Sequence, residues 1–426
     1  MTMRFFKETA TLLCAFFLVA CSNTSTNTAD DKWAENAVNV ASSQLKLLVD
    51  KSNENRDKKS DSEGNLPVFN AETKSGAKLL PRSIGKNGKV RFENPFDWTS
   101  GFFPGSLWLQ YELTGDDFFK SSATTYTSYL EEVANYTGTH DLGFMMFCSY
   151  GNQLRLAHTG EVAPLLVSTA ENLSSRFDPT IKAIRSWDFG QWNYPVIIDN
   201  MMNLELLFWA SEYSNDPKYR EVAIEHANTT LKHHFRDDMS SYHVISYNDD
   251  GSVESKGTFQ GYSDDSDWAR GQGWALYGYV VMYRFTQDPV YLKAAQDIAE
   301  LIMNEETMPE DQIPYWDFDA DDIPNAPRDV SAAALISSAL FELSTMVEDG
   351  QLYFNQAEVM LKNLSQAPYL AEEGTNEGFI LKHATGHLPA NSEIDTPLNY
   401  ADYYYLEALI RYLELSGVKL PLNVAN

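Results

Sequence analysis

Apolar residues recur at helical spacing along most of this chain, and polar stretches interrupt them at two different lengths. The periodicity and its stop signals predict helices near residues 33–52, 101–114, 116–136, 143–159, 162–175, 200–214, 216–234, 268–286, 289–305, 329–346, 351–365 and 398–416. Four breaks are short and near-equivalent: Thr114-Gly115-Asp116, Thr159-Gly160-Glu161, Asn215-Asp216-Pro217 and Gln287-Asp288-Pro289. Each joins a helix ending in aromatic and aliphatic residues to one beginning at an acidic position. Helix–turn–helix pairs repeating at roughly 50–60 residues predict an all-α fold, an (α/α)6 barrel of six helical hairpins. An open solenoid of the same hairpins should repeat its sequence more closely.

The other breaks are long and polar: residues 54–100, 177–199, 236–267, 306–328 and 366–397. If short turns close one end of a barrel, these loops crowd the other end. Loops of that length in a compact domain usually carry function. They hold Trp98, Trp187, Trp192 and Trp316, with Trp268 at a loop–helix junction, and residues 242–247 read as a short strand.

Two aspartates stand out at the loop-rich end. Asp141 lies in Thr139-His140-Asp141-Leu142-Gly143-Phe144, and Asp199 in Pro195-Val196-Ile197-Ile198-Asp199-Asn200-Met201-Met202. Each carboxylate interrupts an apolar run just ahead of a helix. An unpaired buried carboxylate is expensive, so it must find a partner or keep its proton. A carboxyl that stays protonated near neutral pH is what a general acid needs. Asp before an apolar run is also a common helix cap, and position alone leaves both readings open. A further constellation runs from Thr258 through Gln260 and Trp268 to Arg270 and Trp274. Arg270 and Trp274, four apart, share one helical face. The arginine fork matches a carboxylate and the indole offers a flat face for a sugar ring, but a structural ion-pair network would use the same residues. Asp317, Arg328 and Asp329 read as an ion-pair and capping cluster, and His140, directly before Asp141, as an oriented supporting group rather than a base.

Composition narrows the choices. A net charge of −28 over 426 residues argues against nucleic acid, and an anionic substrate would need a local positive group. No His/Cys cluster has metal-ligand spacing, and there is no phosphate-binding loop or Gly-x-Ser-x-Gly elbow, so neither metal nor cofactor is expected. Residues 1–20 read as a lipoprotein signal peptide. Arg4 and Lys7 precede an apolar stretch that ends Leu18-Val19-Ala20-Cys21, and Cys21 would be lipidated. Residues 21–32 form a flexible tether and residues 33–426 a single catalytic barrel. Cys148 is then the one cysteine outside the leader region, which excludes an intramolecular disulfide framework. The expected location is the bacterial cell envelope: lipid-anchored at the outer membrane or cell surface, otherwise periplasmic. A monomer is expected.

Taken in order, the motifs resemble one family. Trp98-Thr99-Ser100-Gly101-Phe102, His140-Asp141-Leu142-Gly143-Phe144, Ile198-Asp199-Asn200-Met201-Met202-Asn203-Leu204, Gln260-Gly261-Tyr262-Ser263-Asp264-Asp265-Ser266 and Trp268-Ala269-Arg270-Gly271-Gln272-Gly273-Trp274 are followed by Trp316-Asp317-Phe318-Asp319, Pro327-Arg328-Asp329 and Asp402-Tyr403-Tyr404. Over about residues 33–416 the set is similar to unsaturated glucuronyl hydrolases, glycoside hydrolase family 88. The resemblance implies an (α/α)6 barrel without metal. It also implies release of a 4-deoxy-4,5-unsaturated glucuronic acid from the non-reducing end of lyase-made oligosaccharides, by hydration of the ring vinyl ether.

On that resemblance Asp199 is the proton donor and water activator, and Asp141 the second carboxylate, contacting the substrate ring and setting the donor's protonation. Thr258, Gln260, Arg270, Trp274 and His243 match substrate-site positions, and Trp98 and Trp268 match ring-contacting aromatics. Phe259 departs from the pattern, standing where many relatives carry a polar His. The Ser/Lys pattern that some relatives use for sulfated sugars has no match in residues 387–392. Ulvan and glycosaminoglycan fragments all end in this sugar after lyase cleavage, and the acidic composition leans toward ulvan. The alternatives are an unsaturated rhamnogalacturonyl hydrolase on the same barrel and a non-catalytic surface glycan-binding lipoprotein.

Overall fold

Three of the short turns are built alike. Gly115, Asn215 and Gln287 each end a helix in left-handed backbone, at φ 67°, 55° and 57°. The next residue is Asp116, Asp216 or Asp288, and its side chain accepts a hydrogen bond from the backbone N–H of Phe118, Lys218 or Val290. One residue thus stops a helix and the next caps its successor. The computed structural model describes residues 32–57, 78–157 and 160–422. The signal peptide, Cys21 and nearly all of the tether lie outside the described residues. Residues from Trp33 onward form one compact unit.

The α-helices are α1 (Lys32–Asp57), α2 (Phe102–Thr114), α3 (Asp117–Thr127), α4 (Asn152–Ala157), α5 (Ala163–Ser174), α6 (Leu204–Ser214), α7 (Pro217–His233), α8 (Ala269–Thr286), α9 (Pro289–Met303), α10 (Val330–Ser344), α11 (Gln351–Leu364) and α12 (Asn399–Leu415). The segment predicted as one helix over 143–159 is mostly something else: Gly143–Gly151 winds as a π-helix before α4 begins. Its sequence is nearly all apolar, so no polar stripe reveals the wider winding. Likewise the segment predicted over 116–136 tightens after α3 into a 3₁₀-helix, Ser128–Asn135.

The barrel closes through its inner helices. α2, the 143–157 segment, α6, α8, α10 and α12 pack side by side in that order, and α12 returns to α2. Of these, α2, α8, α10 and α12 are buried along most of their length, whereas α3, α7, α9 and α11 bury one face. Close approach in the ring depends on glycine at two places. A Cβ on Gly143 would meet the Cα of Asn203 at 2.7 Å, and one on Gly273 would meet Leu335 at 2.8 Å. The sixth hairpin joins the two ends of the chain: Trp33 of α1 packs on Tyr412 of α12 at 4.9 Å. Gln110 of α2 then holds α1 by donating to the Val38 carbonyl and Ser42 Oγ.

The strands all lie in the long connections. They are β1 (Leu80–Ile84), β2 (Val90–Glu93), β3 (Phe177–Asp178), β4 (Ala183–Ile184), β5 (Pro195–Ile197), β6 (Val244–Tyr247) and β7 (Val253–Gly257). The one that matters for the site is the antiparallel sheet β5-β6-β7, in which Ile197 pairs with Val244 and Val244 with Gly257. That register brings Asp199, His243 and Thr258 to one edge.

An ion network crosses the barrel interior. Arg284 of α8 bonds Glu342 of α10 and Glu205 of α6, and Arg411 of α12 reaches Glu342 at 2.9 Å and Glu407 at 3.6 Å. Burial pushes the Glu342 carboxyl up, but Arg284 and Arg411 outweigh it and hold it at about 2 against an ordinary 4.5. A folded-state value below the unfolded one contributes stability above pH 4.5, of roughly 3 kcal/mol, which is lost as pH falls toward 2. Glu342→Gln should therefore lower the melting temperature at pH 7 and flatten its decline between pH 4.5 and 2. An acid limb as steep as wild type, followed by circular dichroism, would remove Glu342 from that role.

Candidate active site

The site grows out of the edge of the β5-β6-β7 sheet. β5 is fully buried, and the chain leaves it directly into the 3₁₀-turn Ile198–Asn203 that leads to α6. Asp199 sits in that turn, 6% exposed. It makes no helix-capping hydrogen bond, and its Oδ2 is buried with no partner at bonding distance. The group facing it is His243, whose Nε2 lies 3.5 Å from Asp199 Oδ2. Residue 243 is placed by the sheet, its carbonyl accepting the Ile198 N–H at 3.1 Å.

The tautomer of His243 follows from its other face. Nδ1 accepts the backbone N–H groups of Phe259 (3.0 Å) and Gln260 (3.1 Å). An acceptor nitrogen carries no proton, so the proton of the neutral ring is on Nε2, the nitrogen on the Asp199 side, 3.5 Å away and itself without a hydrogen-bond partner. Thr258 supports the same turn, its Oγ1 accepting the Gly261 N–H at 2.7 Å.

Asp141 is differently equipped. It makes no cap bond to the helix that follows: Oδ2 accepts from Thr139 Oγ1 at 2.6 Å, and His140 Nε2 lies 3.2 Å from Oδ1. Burial pushes its carboxyl above the ordinary value; His140 and Thr139 oppose this, and the charges of Asp199 and Asp97 add to it. His140 is buried and held below its ordinary value, first by that burial, while Asp141 and Asp199 both pull upward. One imidazole therefore stands in the field of both carboxylates.

The structure places the remaining expected residues around this pair at different depths. Trp268 packs on the His243 ring at 4.7 Å between centroids, and the Arg270 guanidinium lies 4.4 Å over Trp268. Arg270 is fully buried, with Nη1 donating to Asp329 Oδ2 and the Thr385 carbonyl and Nη2 to the Gly386 carbonyl. Its fork is thus engaged by protein, its Nε is without a partner, and its charge is felt by Asp199. Gln260 donates to the same Gly386 carbonyl at 3.2 Å. Trp274 is fully buried against Phe144 (5.1 Å) and Tyr404 (5.6 Å), beneath the site rather than lining its mouth. Trp98 is half-buried against Tyr400 and Phe144, with Arg82 5.7 Å over its ring.

Of the predicted ion cluster, Asp329 does cap α10 and bonds Arg270, whereas Arg328 pairs with Asp311. Asp317 instead accepts the Tyr262 N–H and the Ser266 hydroxyl. Sequence reasoning missed Thr139, although its place two residues before Asp141 was a usable signal. It also missed Arg82, which bonds Asp97 and Glu393 across 311 residues of sequence and ties the hairpin β1–β2 to the loop at residues 384–396. Nothing local announces a contact of that range.

The model of Glycosyl Hydrolase Family 88 matches residues 80–414. The chain belongs to glycoside hydrolase family 88. It is 47% identical over 341 residues to an unsaturated glucuronyl hydrolase of Formosa agariphila, a match covering 79% of this chain and 85% of that one. It is 32% identical to an unsaturated chondroitin disaccharide hydrolase of Streptococcus pyogenes serotype M1, covering 78% and 85%. Its fold superposes on the crystal structure of an unsaturated glucuronyl hydrolase specific for heparin with a TM-score of 0.84 at 48% identity, covering 91% of this chain and 99% of that one. The barrel and the family membership expected from the motifs are both met.

In this family 88 enzyme the Asp141 carboxyl, raised first by burial, also feels the charge of Asp199. Asp199→Asn removes that charge, so the Asp141 carboxyl should lose its proton at lower pH in the variant, followed by carbon-13 NMR of the side-chain carboxyls. An Asp141 titration unchanged by the substitution would show that the two carboxyls are not coupled.

Proposed function

We propose that this glycoside hydrolase releases 4-deoxy-4,5-unsaturated glucuronic acid from the non-reducing end of oligosaccharides by hydrating the ring double bond. The carrying observation is the contrast between the carboxyls: Asp199 keeps an unbonded Oδ2 in front of His243, while Asp141 Oδ2 is taken by the Thr139 hydroxyl and its Oδ1 faces His140 at 3.2 Å. The free oxygen is the one able to deliver a proton. Asp199 transfers its proton to C4, using the electron pair of the double bond, and positive charge develops between C5 and the ring oxygen. Water then forms a bond to C5 and returns its proton to Asp199. The hemiketal at C5 opens to a ketone, leaving at C1 a hemiacetal that expels the aglycone. His243 donates to Asp199 once it is ionised, and Asp141 holds the ring and adds the charge that favours a proton on the pair. Arg270 acts by holding the loop at residues 385–386 and by its charge near Asp199.

The heparin-specific relative at 48% identity makes heparin-lyase products the first substrate to assay, with chondroitin, hyaluronan and ulvan fragments beside them. Residues 33–426 would act as a monomeric catalytic domain carried by lipid on Cys21 at the cell envelope.

Asp199→Asn should abolish the loss of enoate absorbance, by at least about a thousandfold in kcat, with folding and substrate binding kept. Near-wild-type turnover would overturn the assignment. Binding without turnover in the wild type would favour a glycan-binding protein, and turnover confined to rhamnose-linked aglycones a rhamnogalacturonyl hydrolase. For the anchor, Cys21→Ser should move the protein from the detergent phase to the aqueous phase on partition of whole cells. Unchanged partition would exclude lipidation at Cys21.

A further inference from the structure

Phe259 has two roles that point in different directions. Its backbone N–H fixes the His243 tautomer, while its side chain turns outward and is 37% exposed. There it contacts Phe189, 48% exposed, at 6.1 Å, Trp192 at 5.7 Å, Trp187 at 5.5 Å and His387 at 4.8 Å. Phe189 and Phe259 are the one pair of exposed aromatics in mutual ring contact among the described residues. Phe189 stacks on Trp187 with the rings 16° apart. Trp187 in turn packs with Ile197 and Val244, the paired ends of β5 and β6. The cluster therefore stands on the same two strands that place Asp199 and His243. His387 adds a clasp from the 384–396 loop, its Nε2 2.8 Å from the Phe259 carbonyl.

Contiguous exposed aromatic surface on a rigid base is unfavourable in water and marks a binding surface. This one is continuous with the catalytic pair through a single residue, and no charged side chain belongs to the ring cluster itself. An aromatic face complements the C–H face of a pyranose. We infer that Phe189 and Phe259, backed by Trp187 and Trp192, form a platform that binds the leaving sugar by its apolar face. The inference rests on the proposed hydrolase reading. A platform of this kind selects for the shape and C–H face of the aglycone rather than for its charge.

The test uses two substrates that share the unsaturated uronate: a lyase-made disaccharide, and the methyl glycoside, whose aglycone has no ring. Phe189→Ala should lower kcat/KM on the disaccharide about tenfold more than on the methyl glycoside, chiefly through KM. Phe189→Tyr, which keeps the ring face, should bring the ratio of the two back to about the wild-type value. Phe189→Leu keeps apolar volume without the ring, and should shift the ratio as alanine does even if the alanine variant folds poorly. Equal losses on both substrates, or an unshifted ratio in the alanine and leucine variants, overturn the platform and leave the hydrolase reading standing. Wild-type protein inert toward both substrates overturns the hydrolase reading and the platform with it.

Discussion

A carboxylate oxygen buried without a donor at bonding distance is the constraint around which this protein is arranged. Leaving such a group unsatisfied costs about 1–3 kcal/mol, more when it is charged. The cost is tolerated here because the surroundings over-determine the position of Asp199. Strand β5 fixes the backbone before it, the 3₁₀-turn fixes the backbone after it, and the sheet sets His243 opposite at 3.5 Å. Two backbone N–H groups then decide which face of the imidazole carries the proton. The result is a carboxyl with an oxygen free for substrate, in the field of a second carboxyl, an imidazole and a buried arginine.

The barrel supplies the rigidity this needs. Short turns at one end let the hairpins pack as a closed ring, and the long connections gather at the other end, where their strands and loops build the site. Inner helices come close enough to fix the position of Asn203 beside Gly143, and Asn203 Oδ1 accepts the Phe144 N–H at 3.0 Å. That contact links the segment after Asp141 to the segment after Asp199. The two site carboxyls are thus held by the same helix–helix interface, and the ion network of Arg284, Arg411 and Glu342 braces that ring.

Much of this was legible in the sequence because it depends on local signals. Asp116, Asp216 and Asp288 at the short turns did mark helix starts, and the residue before each did mark a helix end, whereas Glu161 lies in the 3₁₀ turn Gly160–Val162 and α5 begins only at Ala163. The polar breaks did contain the strands and the tryptophans. Asp141 and Asp199 were legible as carboxyls misplaced in apolar runs, and the structure excludes the capping explanation for both. What escaped depends on long-range closure. The pairing of α1 with α12, the bonds of Arg82 to Glu393 and the engagement of Arg270 by the 385–386 carbonyls join residues more than a hundred positions apart. Arg270 shows the limit most plainly, since an exposed clamp and a buried brace have the same local sequence. The π-helix escaped for another reason: its run of apolar residues offers no polar face from which a winding could be read.

The central claim is that a positioned carboxyl protonates C4 of the unsaturated ring from one side. Turnover of a lyase-made disaccharide in deuterium oxide, followed by proton NMR of the released sugar, tests it directly. Protonation from Asp199 places a single deuterium at C4 in one configuration from the earliest product onward. Accumulation of the unsaturated monosaccharide with its C4 proton signal intact, or deuterium scattered over both faces of C4, would contradict it.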